Sequence, residues 1–287
     1  MPKLNDSMPV EKTKKPKKEK LPKVPKLAET PEWFFNQLDN PDTWLIGVDQ
    51  ALDRVGLGIM LPRMDVLDLR RVLKDISVRI EAFDCDLNAL EDLRLENEPY
   101  QLPQLKVDGQ RMKKRSETTV RIGKADSVGR RSVMVCSSIS FPVDKDPEWM
   151  GVARRAGVIC DLIQYFDTEF GSQKKGICIL EEMAMHGHSS SIPILLVLSQ
   201  LYGAIYREFF TRFTDSESVS LYDLSISTWK KRFTGKGNAN KKEILEIWRS
   251  NGLDIHNDDA ADAMSIAMVA GEYGEDVLKY SRGRMMR

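Results

Sequence analysis

Four carboxylates are the residues of this sequence best placed to do chemistry. Asp49 closes the apolar run Trp44-Leu-Ile-Gly-Val-Asp49, and Glu181, with Glu182 beside it, follows the apolar run Ile177 to Leu180. Asp259 and Asp262 stand three residues apart at the start of a helical pattern and therefore share a face. Each position lies at the end of an element that reads as buried, where a side chain can emerge at a sheet edge. Four carboxylates converging on one point repel unless cations sit between them, and oxygen-only ligands favour magnesium or manganese over zinc. A pair of such ions, roughly 3.5 to 4 Å apart, activates a water and stabilises the leaving oxygen in phosphodiester cleavage.

Each motif also has a plainer reading. An Asp at a strand end serves as a turn former. Acids in a first helical turn complement the helix dipole, and Glu181-Glu182 fits ordinary solvent exposure. It is the joint occurrence that points to a site. Other chemistries have less to work with: histidine is limited to His186, His188 and His256. Cys85, Cys136, Cys160 and Cys178 stand far apart without a C-x-x-C pair, which argues against a zinc site or a disulfide framework. One basic segment complements the acids. Lys230, Lys231, Arg232, Lys236, Lys241 and Lys242 occur without an intervening acid, and Gly235 and Gly237 let backbone approach a phosphate closely. Trp229 and Phe233 in the same segment suit base stacking or core packing equally.

The elements that must position these groups follow from the apolar patterning. Trp44 to Asp49 reads as a buried strand, followed by a turn and a second strand from Val55 to Met60. Ser132 to Phe141, Gly176 to Glu181 and Ser218 to Leu224 suit further strands. A helix is expected to about Phe170 with Asp146 as N-cap and Pro147 at its first position, and another from Ser191 to about Phe213. Thr228 to Asn240 reads as a basic, glycine-punctuated loop. Asn240 and Glu243 have capping-box spacing before a helix that Asn251-Gly252 ends, and Asn257-Asp258 caps a last helix from about Asp259 to Gly271. Strands followed by alternating helices and strands indicate an α/β domain.

The whole-chain charge hides a division. The 43 Lys and Arg balance 43 Asp and Glu, yet residues 1–28 carry nine lysines against three acids. The Lys/Pro alternation of that segment reads as a flexible arm, either a solubilising tail, a nucleic-acid-binding arm or a nuclear-type address, ahead of a domain over 31–287. Within the domain, residues 61–131 hold an acidic stretch from Asp84 to Glu98 and a basic one from Lys106 to Arg131, and read as an inserted subdomain or long hairpin or a solvated surface. Hydrophobic content of 41% excludes a wholly disordered chain. The longest apolar run, Ile192 to Tyr206, is shorter than the roughly 20 residues of a membrane span, so no membrane partner is expected. No apolar leader is visible at the N-terminus, and the reducing cytoplasm is the expected compartment.

The motifs resemble those of a known family. Ile46-Gly-Val-Asp49-Gln-Ala-Leu-Asp-Arg-Val-Gly56 is similar to the first-strand signature of RuvC-type Holliday-junction resolvases, and Leu180-Glu181-Glu182-Met183 to their second acidic motif. Trp229 to Ile244 resembles their basic loop, and Asp259-Ala-Ala-Asp262-Ala-Met-Ser-Ile-Ala267 their closing helix. The resemblance implies a ribonuclease-H-like fold with a mixed five-stranded sheet flanked by helices. It also implies a homodimer and metal-dependent paired nicking of four-way DNA junctions with two Mg2+ or Mn2+ per site. Asp49, Glu181, Asp259 and Asp262 match the catalytic tetrad, and Lys230 and Lys241 match lysines that contact phosphate near the scissile bond. Gln50-Ala51 replaces the usual Pro-Gly, and Ala184 stands where bacterial members carry an aromatic residue. Segments 1–28 and 61–131 have no counterpart in the compact bacterial form, which suggests a viral or otherwise divergent member. Three other readings compete: a ribonuclease-H-like nuclease acting on flaps, branched DNA or RNA–DNA hybrids; a junction-binding protein with a dead site; and an actin-like phosphotransferase, whose phosphate loop also opens with Gly-x-Asp. The last leaves Asp259 and Asp262 unexplained.

Overall fold

The computed structural model describes residues 43–281, except 52–53, 81–84, 91–98, 108–109, 112–115, 141–147, 172–173, 184–191 and 215. The arm at 1–28, the start of the domain at 31, the cap at Asp146, the helix start at Ser191, Ala184, His186 and His188 lie outside these residues. So do the carboxylates of the acidic stretch other than Asp86, and Lys113, Lys114 and Arg115 of the basic stretch.

Alternating apolar residues build a seven-stranded sheet. Its first two strands, β1 (Thr43–Gln50) and β2 (Arg54–Met64), form an antiparallel hairpin. The others are β3 (Tyr100–Gln101), β6 (Ser116–Ile122), β7 (Arg131–Ser140), β8 (Lys175–Glu181) and β9 (Val219–Leu224), in the order β3-β6-β7-β2-β1-β8-β9. β8 runs parallel to β1 and to β9, whereas β7 is antiparallel to β2 and β6. The run β7-β2-β1-β8-β9 is the mixed five-stranded sheet expected of a ribonuclease-H-like fold. The expectation of five strands in all is corrected by β6 and the short β3, which extend the antiparallel edge. Among the described residues, two further short strands, β4 (Lys106–Val107) and β5 (Gln110–Arg111), pair with each other outside this sheet.

Side chains alternate across a strand, so each face acquires its own core. Trp44, Ile46, Val48, Leu57 and Ile59 face α1 (Val66–Arg79), α2 (Glu148–Phe170) and α3 (Ile192–Phe213). Leu45, Met60, Met134, Cys136 and Ile179 face α4 (Ile226–Thr234), α5 (Lys241–Ser250) and α6 (Asp258–Ser281).

The described part of 61–131 joins this architecture instead of standing apart. β2 continues to Met64, and Asp65 caps α1 by accepting from the Asp68 amide at 2.8 Å. Leu69, Val72, Leu73 and Ile76 recur at helical spacing and are buried in the first core, as are Val120 and Ile122 of β6. The reading of Thr228–Asn240 as a loop is likewise corrected. Its first half is α4, which Gly235 terminates in the left-handed conformation with φ of 80°. The capping box of Asn240 and Glu243 forms as expected, and Gly252 adopts φ of 75° after α5.

What places α6 is a floor of glycine. Gly47 pairs with Gly58, and Asp49 pairs with Gly56. A Cβ at Gly47 would collide with the Ala263 carbonyl, at Gly56 with the Asp259 carbonyl, and at Gly58 with the Met264 backbone. Ala260, Ala263 and Ala267 supply equally small side chains from the helix. Backbone therefore lies almost directly on backbone, and the first turns of α6 are brought down beside the end of β1.

Candidate active site

Strand parity explains why the four carboxylates meet. Leu45, Gly47 and Asp49 alternate onto the α6 face of β1, as Ile177, Ile179 and Glu181 do on β8. Parallel pairing of Val48 with Leu180 sets Asp49 and Glu181 side by side at the C-terminal ends of their strands. α6 adds Asp259 and Asp262. Asn257 caps this helix, its Oδ1 accepting from the amides of Asp259 at 2.9 Å and Ala260 at 3.2 Å. Asp49, Asp259 and Asp262 are only 8%, 7% and 5% exposed, a burial that free carboxylates resist.

Electrostatics record that resistance. Burial first, and then the charges of Glu181, Asp262 and Asp259, hold the Asp49 carboxyl well above its ordinary range, and a hydrogen bond joins it to Glu181. Burial also raises Glu181, against the opposing effects of Trp229, Asp49, Lys230 and Lys241. Asp262 is pushed up to about 7 by burial and by Glu181 and Asp258, with Lys230 and Lys241 pulling the other way. Its Oδ1 is buried without a hydrogen-bond partner.

The basic segment divides into different roles. Lys241 Nζ lies 2.6 Å from Asp258 Oδ2 and 3.3 Å from Asp259 Oδ1. Burial would lower its pKa, but these two carboxylates hold it above the ordinary lysine value. Lys230 Nζ lies 5.3 Å from the centre of the Trp229 ring, at the margin of the site. Lys236 pairs with Glu243 at 2.6 Å, while Lys231 and Lys242 are exposed. Arg232 is half-buried on α4. The tetrad is thus brought together with Lys230 and Lys241, whereas Lys236 is turned to the α5 cap.

Trp229 and Phe233 are fully buried, so core packing and not base stacking describes them. Trp229 does more than fill space, because its Nε1 donates to Glu181 Oε1 at 2.8 Å. Trp229→Phe keeps an aromatic ring and removes this donor to a half-buried acid. It is expected to cost about 1 to 3 kcal/mol, read as a lower urea midpoint with an unchanged slope.

Two further supports lie beyond sequence reasoning. Arg155, 4% exposed on α2, donates from Nη1 to the Ala51 carbonyl at 3.1 Å and so braces the chain two residues after Asp49, where Gln50-Ala51 departs from Pro-Gly. The glycines at 47, 56 and 58 match the alanines at 260, 263 and 267, a complementarity of small residues visible in the sequence only once the two elements are known to touch.

The chemistry of the donors suits hard divalent cations: oxygen only, carboxylate-rich and partly enclosed. The unpartnered Asp262 Oδ1 and the Asp49–Glu181 hydrogen bond mark places where a cation would take over from burial cost and shared proton. Among the described residues no group of three or more His, Cys, Asp or Glu already stands at metal-holding separation. Lys241 meanwhile is shared between Asp258 and Asp259.

No family model and no curated protein matches the chain. Among solved structures, RuvC of Thermus thermophilus aligns with a TM-score of 0.45 at 13% identity, covering 82% of this chain and 97% of that one. Thermus thermophilus RuvC in complex with Holliday junction substrate gives 0.41 at 14% identity, over 82% of this chain and 96% of that one. The yeast mitochondrial Holliday junction resolvase Ydc2 gives 0.33 at 13%, over 75% and 96%.

Proposed function

We propose that the chain is a metal-dependent endonuclease that cuts four-way DNA junctions by paired nicking. The observation that carries this reading is the meeting of Asp49, Glu181, Asp259 and Asp262 at one end of the sheet, beside Lys230 and Lys241. Asp49, Glu181, Asp259 and Asp262 would hold two Mg2+ or Mn2+ ions. When bound, such ions lower the pKa of a water and stabilise charge on the leaving oxygen. The protein's own contribution is to enclose the carboxylates on two rigid strand ends and one helix. Trp229 orients Glu181, and Lys241 holds Asp259 until substrate phosphate competes for its ammonium.

Lys230, Lys231, Arg232, Lys241 and Lys242 are proposed to face the sugar–phosphate backbone, joined by Lys236 where a phosphate displaces Glu243 from its ammonium. Each phosphate contact that displaces a counterion steepens the fall of affinity with salt, with a slope near −0.9 per contact on duplex arms. A homodimer would provide the two sites that paired nicks require. α3 supports it by leaving Leu196 58% and Phe210 49% exposed on a long apolar helix.

The test is a labelled panel of four-way, three-way, flap, duplex and RNA–DNA hybrid substrates with Mg2+, Mn2+ or no metal. Symmetric nicks on the four-way junction, dependent on metal, are expected. Equal cutting of hybrids or flaps would reassign the substrate within the same chemistry. Tight junction binding with no cutting in either metal would replace the enzyme by a binding protein, and DNA-independent ATP hydrolysis would replace it by a phosphotransferase.

A further inference from the structure

The added antiparallel edge of the sheet reaches the helix that carries two of the four carboxylates. On β6, Thr119 and Arg121 pair with Cys136 and Met134 of β7 and therefore point to the α6 face. There they meet the linker between α5 and α6. Arg121 Nη1 donates to the Gly252 carbonyl at 2.8 Å, and Thr119 Oγ1 donates to the Asp254 carbonyl at 3.4 Å. The Asp254 amide donates to Oε1 of Gln101, on β3, at 3.4 Å. All three contacts grip residues 252–254, while Leu253 and Ile255 are buried in the second core.

This grip supplies what the glycine floor lacks. A contact made of Gly47, Gly56, Gly58 and alanines sets how closely α6 approaches, but it has few knobs to oppose sliding along the helix axis. Trp248 Nε1 donates to the Ala261 carbonyl at 3.3 Å and to Ser265 Oγ at 3.0 Å, which couples α5 to α6, so the pair would move together. The linker between them is the point at which the sheet holds that pair.

We propose that Arg121, assisted by Thr119 and Gln101, is a positioning residue: the added edge strands set the axial position of α6 and thus hold Asp259 and Asp262 against Asp49 and Glu181. The catalytic consequence rests on the nuclease reading above, whereas the mechanical claim does not. Arg121 acts through the Gly252 carbonyl.

The experiment compares full-length wild type, Arg121→Ala, Arg121→Lys and Gln101→Ala by hydrogen–deuterium exchange and by single-turnover cutting of a four-way junction over a range of Mg2+ concentrations. In Arg121→Ala, amide exchange should accelerate over 251–262 while β1 and β8 keep their protection. Cutting at saturating junction should fall by up to about a hundredfold, the loss that a misplacement near 1 Å can produce, with junction affinity held within about twofold. Arg121→Lys retains a donor and should recover part of both losses, and Gln101→Ala should show a smaller change in the same segment. Unchanged exchange over 251–262, or acceleration spread evenly across the sheet, would overturn the proposal. If wild type cuts no substrate, the nuclease reading fails, and the exchange pattern still decides whether this edge holds α6.

Discussion

Asp262→Asn is expected to yield a protein that melts higher than wild type and no longer cuts. The side chain is 5% exposed, one of its oxygens lacks a partner, and Glu181 and Asp258 add repulsion. An amide at this position carries no charge to desolvate, so the exchange should stabilise the metal-free protein by about 1 to 3 kcal/mol. That corresponds to several degrees in Tm, at roughly 2 to 4 °C per kcal/mol for a domain of this size. The sign with pH follows from linkage. An acid raised to about 7 in the folded state binds its proton more tightly there than in the unfolded chain, so wild-type stability falls as pH climbs from about 4 and levels off above about 7. The advantage of the variant should therefore be small near pH 4 and largest above neutrality. Cutting should drop by on the order of a thousandfold or more, the equivalent of several kcal/mol of transition-state stabilisation. Melting curves without metal between pH 4 and 8, together with nicking of the four-way junction, check both halves. Retained cutting would remove Asp262 from the site.

A second large effect separates two chemically identical changes. Gly58→Ala inserts a methyl group where the backbone of Met264 and Ala263 already sits, so the helix must lift or the strand must bend. The expected cost is about 3 kcal/mol, the upper part of the range for overpacking, and lifting α6 also withdraws Asp259 and Asp262 from Asp49. Gly157→Ala introduces the same methyl group on α2, where nothing lies within 4 Å. There it should stabilise by about 0.5 to 1 kcal/mol through the better helix propensity of alanine. Urea titrations of the two variants should move the midpoint in opposite directions. Equal shifts would mean that the glycine floor is not what seats α6.

The sequence disclosed most about the site where chemistry and local patterning coincide. Asp49 and Glu181 end continuous apolar runs, and strand parity then dictates their common face. Asn240 and Glu243 satisfy a reciprocal local rule, and both hydrogen bonds form as spaced. Where charge and fold compete, the charge misleads. Lys230, Lys231 and Arg232 separate Trp229 from Phe233 and give the segment the look of a loop, yet the four-residue spacing of the two aromatics is the buried face of α4. The same holds for α1, whose Leu69, Val72, Leu73 and Ile76 are set among Arg70, Arg71 and Lys74. β6 hides for another reason: Thr119 and Arg121 point inward toward a linker and not toward an apolar core, which blurs the expected alternation. The bond between Trp229 and Glu181 joins residues 48 apart and belongs to the packing alone.

The glycine floor has a consequence for how the chain finds its fold. Slipping the β1–β2 hairpin by one residue would turn side chains to the opposite faces. Either Leu57 and Ile59 would then stand where Gly56 and Gly58 receive α6, or Asp49 would point into the first core. A misaligned hairpin would thus either reject its last helix sterically or bury a bare charge, so both ways of slipping are penalised. The register that admits α6 is thus the one that also brings the four carboxylates to the same end of the sheet.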